Sequence, residues 1–260
     1  MANRLSASFL ESRATPEKKQ WLRNHVFGGI PMTITTGGTV GAGKTKLLEN
    51  LGAWGFEVHE NSYRIFKGKI KEWQRRAKED PQIDYFIDAV GIDRAHAFSD
   101  HEGGFISGRM AHALDDPQIV SQIDSSIDHE LVMELAKSLE PHTRKDVRPY
   151  LRDRLHPPAI HMKVLLKCDE DEAGRRIFDR EAILKRVGAN KEDFDSVEQA
   201  IGKVRERNLH DRESFQERYG TDIHDPAKFT HVIDTTRNSN AQTLLQLLQL
   251  IRLHRLSLFT

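Results

Sequence analysis

Cysteine and long apolar runs are nearly absent from this chain. The 260 residues include a single cysteine, Cys168, which excludes an internal disulfide and a cysteine-rich zinc site. No apolar stretch approaches the roughly 20 residues that span a bilayer. The N-terminal stretch, which contains Arg and Glu, lacks the apolar region of a signal peptide. We therefore expect a cytoplasmic protein that has no membrane partner.

An excess of one charge sign is also lacking. Lys and Arg total 39 and Asp and Glu total 39, so the chain offers no overall basic field for a nucleic-acid polymer. The 13 histidines are scattered without H-E-x-x-H spacing, which argues against a structural metal site. We expect one globular unit at this length, and we favour a monomer.

Strand-like and helix-like patterns alternate along the chain. The five strand candidates are Met32–Thr36, Phe56–His59, Phe105–Ser107, His161–Cys168 and Phe229–Asp234. Such alternation predicts an α/β fold in which a parallel sheet is covered by helices on both faces. In such sheets a ligand lies beyond the carboxyl ends of the strands. A helix is predicted from Ile123 to Leu139, because apolar residues recur there at every fourth position.

A glycine-rich segment follows the first strand candidate and matches the phosphate-binding loop pattern G-x-x-x-x-G-K-[ST]. Its residues are Gly38, Thr39, Val40, Gly41, Ala42, Gly43, Lys44 and Thr45. Main-chain amides of such a loop surround phosphate oxygens, the Lys44 ammonium contacts β and γ phosphates, and the Thr45 hydroxyl binds Mg²⁺. The segment therefore predicts a nucleotide site. The alternative is a glycine-rich turn that binds nothing.

Arginines follow the fourth strand candidate at helical spacing. Arg176 and Arg180 are four residues apart, as are Arg207 and Asp211, so each pair shares one face of its predicted helix. A phosphoryl-transfer enzyme needs such positive charge, because positioning and charge neutralisation supply most of its rate. The alternative is surface ion pairing, for example of Glu172 with Arg176, worth about 0.3–0.5 kcal/mol per pair.

Several segments of the chain, taken in order, resemble a known family. They are the loop Gly38–Thr45, then Ser62–Lys67, Glu79–Asp84, Ser107–Arg109, Ala173–Glu181, Arg205–Asp225 and Val232–Thr236. In this order they resemble cytidylate kinases, within the nucleoside monophosphate kinase family, and in particular the compact (d)CMP kinases of archaeal type. The resemblance runs from about Met32 to the C-terminal helix. Residues 1–29 and Met110 to Ala159 have no counterpart that we recognise.

The resemblance implies a three-layer P-loop NTPase fold with a five-stranded parallel sheet. It divides the chain into an N-terminal extension at 1–29 and a kinase-like domain at 30–260. Within that domain it implies NMP-binding helices at 60–95, an unassigned helical insert at 110–160 and a lid region at 170–218. The implied reaction is phosphoryl transfer from ATP to CMP or dCMP, with Mg²⁺ as cofactor and small-molecule nucleotides as partners.

The same resemblance implies roles for individual residues. The implied catalytic residues are Lys44, Arg109, Arg176 and Arg180; the implied substrate-binding residues are Ser62, Arg64, Lys67, Arg109, Arg207 and Asp211; Thr45 is the implied Mg²⁺ ligand; Thr235 and Arg237 are candidates for contact with adenine or its ribose. Arg109 would bind the acceptor phosphate, and Arg176 and Arg180 would reach the transferring group from a lid helix. Asp211 could accept a hydrogen bond from the cytosine amino group.

Three positions depart from the pattern of these kinases. Lys67 stands where an arginine is usual, which loses the planar fork that binds phosphate through two hydrogen bonds. Ser107 replaces an acidic residue, and Ser214 stands where some relatives carry an arginine. These departures leave open a non-enzymatic or regulatory ATP-binding module derived from the kinase fold, and a kinase for another small acceptor.

A GTPase is a further alternative. Asn190–Asp193 matches the guanine-reading pattern N-K-x-D, and Asp88–Gly91 matches D-x-x-G. In GTPases both patterns directly follow buried strands, whereas Asn190 follows a charged helical stretch. A motif outside its structural context is weak evidence, so the kinase is the preferred hypothesis.

Overall fold

The structure is a computed structural model. It describes residues 5–30, 32–60, 72, 75–77, 79–99, 104–113, 116–128, 130, 161–188 and 192–259. In these ranges no helix has both the length and the apolar character needed to cross a bilayer.

Helices and strands alternate along the described chain. They are α1 (Ala7–Glu11), α2 (Pro16–Phe27), β1 (Thr33–Gly38), α3 (Lys44–Ala53), β2 (Val58–Glu60), α4 (Gln82–Ser99), β3 (Gly104–Ser107), a 3-10 turn (Arg109–His112), α5 (Pro117–Ser126), β4 (His161–Lys167), α6 (Glu170–Arg186), α7 (Val197–Tyr219), a 3-10 turn (Pro226–Lys228), β5 (His231–Asp234) and α8 (Asn240–Ser257). The order confirms the predicted α/β class.

All strands of the sheet run parallel, in the order β2-β3-β1-β4-β5. Four strands contain four to seven residues, and β2, at one edge, contains three. From the central β1 the chain first builds β2 and β3 on one side and then β4 and β5 on the other. The topological switch point therefore lies at the carboxyl end of β1, which is where ligands bind in sheets of this kind.

Two hydrophobic clusters cover opposite faces of the sheet. Phe105 belongs to the cluster formed with α1, α2, α3 and α8, whereas its neighbour Ile106 belongs to the cluster formed with α4, α5 and the end of α7. Successive strand residues point to opposite faces, so the helices form a layer on each side. The arrangement agrees with the predicted three layers.

Residues 5–30 pack into the main core. Leu10, Leu22 and Val26 are buried in the same cluster as β1 and α3, and the Phe9 ring stacks on Trp54 with a centroid separation of 5.1 Å. Helices α1 and α2 also contact α8. The segment that the sequence analysis treated as an N-terminal extension therefore stabilises the sheet.

Two helix predictions have different outcomes. The spacing of Leu244, Leu247 and Leu248 in the sequence predicts an amphipathic helix that packs on the core. Helix α8 confirms this prediction, and all three leucines are buried. The helix predicted through Ile127 is wrong at that residue, because α5 ends at Ser126 and Ile127 is extended. The rest of that prediction lies outside the described residues, apart from Asp128 and Glu130. The four-residue apolar spacing continues in the sequence beyond Ser126. In the structure, however, the Asp128 main-chain N–H donates to the Gln82 side chain of α4 rather than within a continuing helix.

Candidate functional site

The loop between β1 and α3 makes a tight turn at the switch point. Gly41 and Gly43 have φ values of 77° and 87°, which side chains with a Cβ rarely adopt. A Cβ at Gly41 would also lie 2.7 Å from the Ala173 Cβ on α6. The glycines therefore let the loop curl closely against α6.

Hydrogen bonds hold this loop to the neighbouring strands. The Thr39 N–H donates to the Leu166 carbonyl at 3.2 Å, and the buried Thr39 hydroxyl oxygen accepts from the Cys168 N–H at 3.2 Å. The Thr235 hydroxyl donates to the Ala42 carbonyl at 3.2 Å. Strands β4 and β5 thus fix the loop from the side that faces the sheet.

Asn208 of α7 holds the loop from another side. Its Oδ1 accepts from the Val40 N–H at 2.9 Å, and its Nδ2 donates to Glu170 Oε1 at 3.0 Å. The side chain is buried. Our sequence reasoning missed Asn208, although it follows Val204 and precedes Phe215 at helical spacing in a helix whose opposite face is charged.

The N-terminus of α3 lacks the side-chain cap found elsewhere. The other six described α-helices whose caps are resolved begin at a Ser, Thr or Asp that accepts a hydrogen bond from the first turn. Helix α3 begins after Gly43, which gives no such bond. Amide N–H groups at a helix N-terminus, with the positive end of the helix dipole, favour an anion.

Lys44 lies folded over the same loop. Its ammonium donates hydrogen bonds to the main-chain oxygens of Gly38 and Thr39, the latter at 2.9 Å. Burial lowers the pKa of Lys44 to about 8, against the opposing attraction of Asp211. The charge is therefore costly in this setting, and an anion that replaced the two carbonyl oxygens would stabilise it.

Asp211 of α7 interacts electrostatically with two cations. Burial raises the pKa of the Asp211 carboxyl, while Arg109 and Lys44 both act to lower it. These interactions place the carboxylate within electrostatic reach of both cations. The structure thus brings together three of the sequence-predicted site residues, which come from α3, α7 and the turn after β3.

Arg109 is fixed by two carboxylates of α4. Its Nε donates to Asp88 Oδ1 at 2.9 Å and its Nη2 to Asp84 Oδ1 at 3.3 Å. The guanidinium also lies 5.6 Å from the centroid of the Phe215 ring. Two carboxylates four residues apart on one helix thus hold Arg109 in the turn that follows β3.

A second arginine, which our sequence reasoning missed, joins the same carboxylates. Arg218 donates to Asp84 Oδ2 at 3.0 Å, and Tyr219 donates to Asp88 Oδ2 at 2.9 Å. Asp88 is 1% exposed. The spacing of Asp84 and Asp88 on one helix face was a readable signal for a shared cation, but the sequence did not indicate which arginine would meet them.

Arg176 and Arg180 occupy different surroundings from Arg109. Arg176 donates from Nη2 to the main-chain oxygens of Thr235 at 2.8 Å and Thr236 at 3.0 Å, so it holds the turn after β5. Arg180 is 59% exposed and pairs with Glu181. The contacts made by the described residues join neither guanidinium to the Lys44 ammonium.

Arg207 also pairs with an acidic residue of the predicted lid region. It donates to Glu192 Oε1, and the Glu192 N–H donates to Glu181 Oε2 at 3.4 Å. Glu181 is the residue that pairs with Arg180. Two of the predicted site arginines therefore meet one pair of glutamates where α6 and α7 pack together.

Some of the predicted site residues fall in segments that the structure does not describe. Ser62, Arg64 and Lys67 lie outside the described residues, as do Asn190 and Lys191 of the guanine-reading pattern.

The loop residue Thr45 lies in the first turn of α3 and is exposed. Ser107 is buried at the end of β3, and the Ser214 hydroxyl accepts from Arg218 Nη1 at 2.6 Å.

A buried histidine lies beneath the loop and was also missed. His224 is 3% exposed and hydrogen-bonds to the Gly38 main chain. Burial and the nearby Lys44 charge lower the pKa of His224 to about 4, so the imidazole stays neutral near pH 7. It follows Gly220 and precedes Asp225 in a turn-rich stretch, where no periodic pattern marks a buried side chain.

Comparisons with known proteins provide no family assignment. No protein-family model matches the chain, and no curated protein matches it. The chain is similar to an uncharacterized protein from Eubacterium ventriosum ATCC 27560, which is known from a crystal structure. The alignment covers 85% of this chain and 98% of that protein. The identity is 11% and the TM-score 0.47, and that likeness supports no conclusion about function.

Proposed function

We propose that this protein transfers the γ-phosphoryl group of ATP to a nucleoside monophosphate, with CMP or dCMP as the preferred acceptor. The observation that carries the proposal is the electrostatic interaction of Asp211 with two cations. Lys44 is hydrogen-bonded to the glycine loop, and Arg109 lies in the turn after β3. Phosphate groups bound beside Asp211 would satisfy both cations.

The donor half of this site is formed by the loop and α3. A triphosphate would accept hydrogen bonds from loop amides and would replace the two carbonyl oxygens as partners of Lys44. The exposed Thr45 hydroxyl, in the first turn of α3, suits a Mg²⁺ ligand. Magnesium would neutralise charge on the transferring phosphates.

The acceptor half centres on Arg109 and Asp211. Arg109 is held through Nε and Nη2 by Asp88 and Asp84, which leaves Nη1 outside these two bonds for an acceptor phosphate. Asp211 could accept from the exocyclic amino group of cytosine, since an ionised carboxylate is an acceptor only. Both contacts would orient the acceptor in line with the donor, which supplies much of the rate of phosphoryl transfer.

The arginines of the predicted lid region would act after a change of partner. Arg180 and Arg207 are neutralised by Glu181 and Glu192 in the present arrangement. Closure over a bound nucleotide would exchange these glutamates for phosphate oxygens and would keep water from the γ-phosphate. Arg176, which binds the turn after β5, would instead help to shape the surface for adenine.

The GTPase alternative has less support than the kinase. Asp88 to Gly91 lie inside α4, rather than after a buried strand, and Asp88 is engaged by Arg109 and Tyr219. Asp193 pairs with Lys185 at 2.6 Å. A non-enzymatic ATP-binding module would use the same loop, so it has to be separated from a kinase by assay.

A coupled assay of ADP release, with ATP, Mg²⁺ and a panel of CMP, dCMP, UMP, AMP and GMP, tests the proposal. Turnover should depend on the acceptor, be fastest with CMP or dCMP, and collapse in Lys44→Ala and Arg109→Ala. Lys46→Ala is the control for the first variant, because Lys46 lies on α3 and is 54% exposed. Arg175→Ala, whose side chain is 57% exposed, is the control for the second.

Each result separates the alternatives. ATP hydrolysis that ignores every monophosphate would contradict the kinase and leave ATP binding intact. If GTP, but not ATP, competes for the nucleotide site, the GTPase is favoured. If turnover occurs only with an acceptor outside the panel, the reaction class is kept and the proposed substrate changes.

A further inference from the structure

Arg218 presents hydrogen-bond donors that the described part of the chain does not use. Its side chain is 11% exposed. The Nη1 group donates to Asp84 Oδ2 at 3.0 Å and to the Ser214 hydroxyl at 2.6 Å. Nε and Nη2 are buried without a hydrogen-bond partner, and Nη2 lies 3.6 Å from Asp88 Oδ2, beyond hydrogen-bond length.

These two nitrogens form one edge of the guanidinium plane. Nε–H and one N–H of Nη2 point in parallel, which is the geometry that binds two oxygens of a phosphate or carboxylate at once. Burying donors without partners is unfavourable, and such groups in folded proteins usually have a function or an absent ligand. An oxyanion is the ligand that this edge fits.

The unused edge lies beside Arg109. Both guanidiniums pack on the Phe215 ring, Arg218 at 5.0 Å and Arg109 at 5.6 Å from its centroid. Both also pair with Asp84 and Asp88, so each carboxylate is shared between the two cations. The shared partners fix the two arginines relative to each other.

The backbone of Arg218 is fixed as well. Its carbonyl accepts from Gln122 Nε2 of α5 and from the Tyr85 hydroxyl of α4 at 3.5 Å. Two helices, α4 and α5, therefore determine where the end of α7 lies. A donor edge that is held this firmly is preorganised for a ligand, because little conformational entropy is lost on binding.

We propose that the Nε and Nη2 donors of Arg218 bind the phosphate of the acceptor nucleotide beside Arg109. This inference rests on the proposed function, since it assigns an acceptor phosphate to the neighbouring Arg109. The two carboxylates balance the two guanidiniums, and an incoming phosphate would add two charge-assisted hydrogen bonds on the Arg218 edge that has no hydrogen-bond partner.

A purely structural role is the competing explanation, in which Arg218 only ties α7 to α4. Tyr219→Phe is the matched control, because it removes one hydrogen bond to Asp88 from the same network and leaves the Arg218 edge intact. Arg218→Lys keeps a cation that can still pair with Asp84 but has no second parallel donor. Arg218→Gln repeats the test if the lysine variant does not fold.

The experiment combines calorimetric binding of CMP without ATP with steady-state kinetics on the wild-type protein and the variants. In Arg218→Lys, the Kd and KM for CMP should rise about 10- to 100-fold, since one charge-assisted hydrogen bond is lost. The KM for ATP should change by less than about threefold, and Tyr219→Phe should change the KM for CMP by less than about threefold, as expected for a bond outside the ligand.

The outcomes distinguish the two proposals. Normal CMP binding in Arg218→Lys, or an equal loss in Tyr219→Phe, overturns the role of Arg218 and leaves the kinase in place. CMP binding that depends on Arg218, without any transfer of phosphate, supports Arg218 and overturns the kinase. A wild-type protein that neither binds nor phosphorylates CMP overturns both.

Discussion

The titration of Lys44 should make ATP affinity depend on pH. The ammonium has a pKa of about 8 in the free protein because burial disfavours its charge. A bound triphosphate would stabilise that charge and raise the pKa. Binding therefore selects the protonated form. ATP affinity should be nearly constant up to about pH 7 and should fall as the pH rises through 8.

The size of the effect follows from the fraction of protonated lysine. With a free-state pKa of about 8 and a higher bound-state pKa, the ATP association constant should be about twofold lower at pH 8 and about tenfold lower at pH 9 than at pH 7. One proton should be taken up for each ATP bound at pH 9. Calorimetry in buffers of different ionisation enthalpy measures both quantities.

Lys44→Arg is the control, because an arginine stays protonated over this range. Its ATP affinity should be nearly independent of pH between 7 and 9, and its proton uptake should vanish. If the wild-type affinity is flat over the same range, or if Lys44→Arg shows the same decline, then Lys44 does not neutralise bound phosphate and the site has been misassigned.

Further predictions concern the residues that hold the loop. Asn208→Ala leaves the Val40 N–H without a partner and should lower the free energy of unfolding in urea by about 1–3 kcal/mol. Asn238→Ala, which removes only solvent-exposed side-chain hydrogen bonds, should change it by about 0.5 kcal/mol or less. Gly41→Ala should weaken ATP binding in calorimetry, because its Cβ would clash with α6; unchanged binding would contradict the loop geometry. Unfolded histidines bind protons below about pH 6.5, while folded His224 stays neutral to about 4, so stability should fall between these pH values. In urea unfolding, His224→Asn should lose less stability on acidification than the wild-type protein does. An equal loss would show that His224 is not the source of this pH dependence.

Local sequence patterns were sufficient for the sheet and the loop. The β1 strand and the glycine loop are encoded by adjacent residues, and the alternation of strands and helices restricts the sheet to parallel pairing. The caps of α6 and α8, Asp169 and Ser239, also follow standard helix-start chemistry. Such features depend on short stretches of chain, so they can be predicted from the sequence.

Long-range partners could not be read in the same way. Arg218 and Asp84 are 134 positions apart, and Val40 and Asn208 are 168 apart. Whether an arginine pairs with Glu181 or contacts the loop depends on helix packing, which helical spacing does not determine. The sequence therefore predicted the positive charge of α6 and α7 but not which acidic residues neutralise it.

The transfer of labelled phosphate from ATP to CMP tests the central claim most directly. With ATP labelled at the γ position, we expect label in CDP for the wild-type protein and for Lys46→Ala, and none for Lys44→Ala or Arg109→Ala. If the wild-type protein releases the label only as inorganic phosphate, or leaves it on ATP with every monophosphate present, the meeting of Lys44, Asp211 and Arg109 does not form a phosphotransferase site.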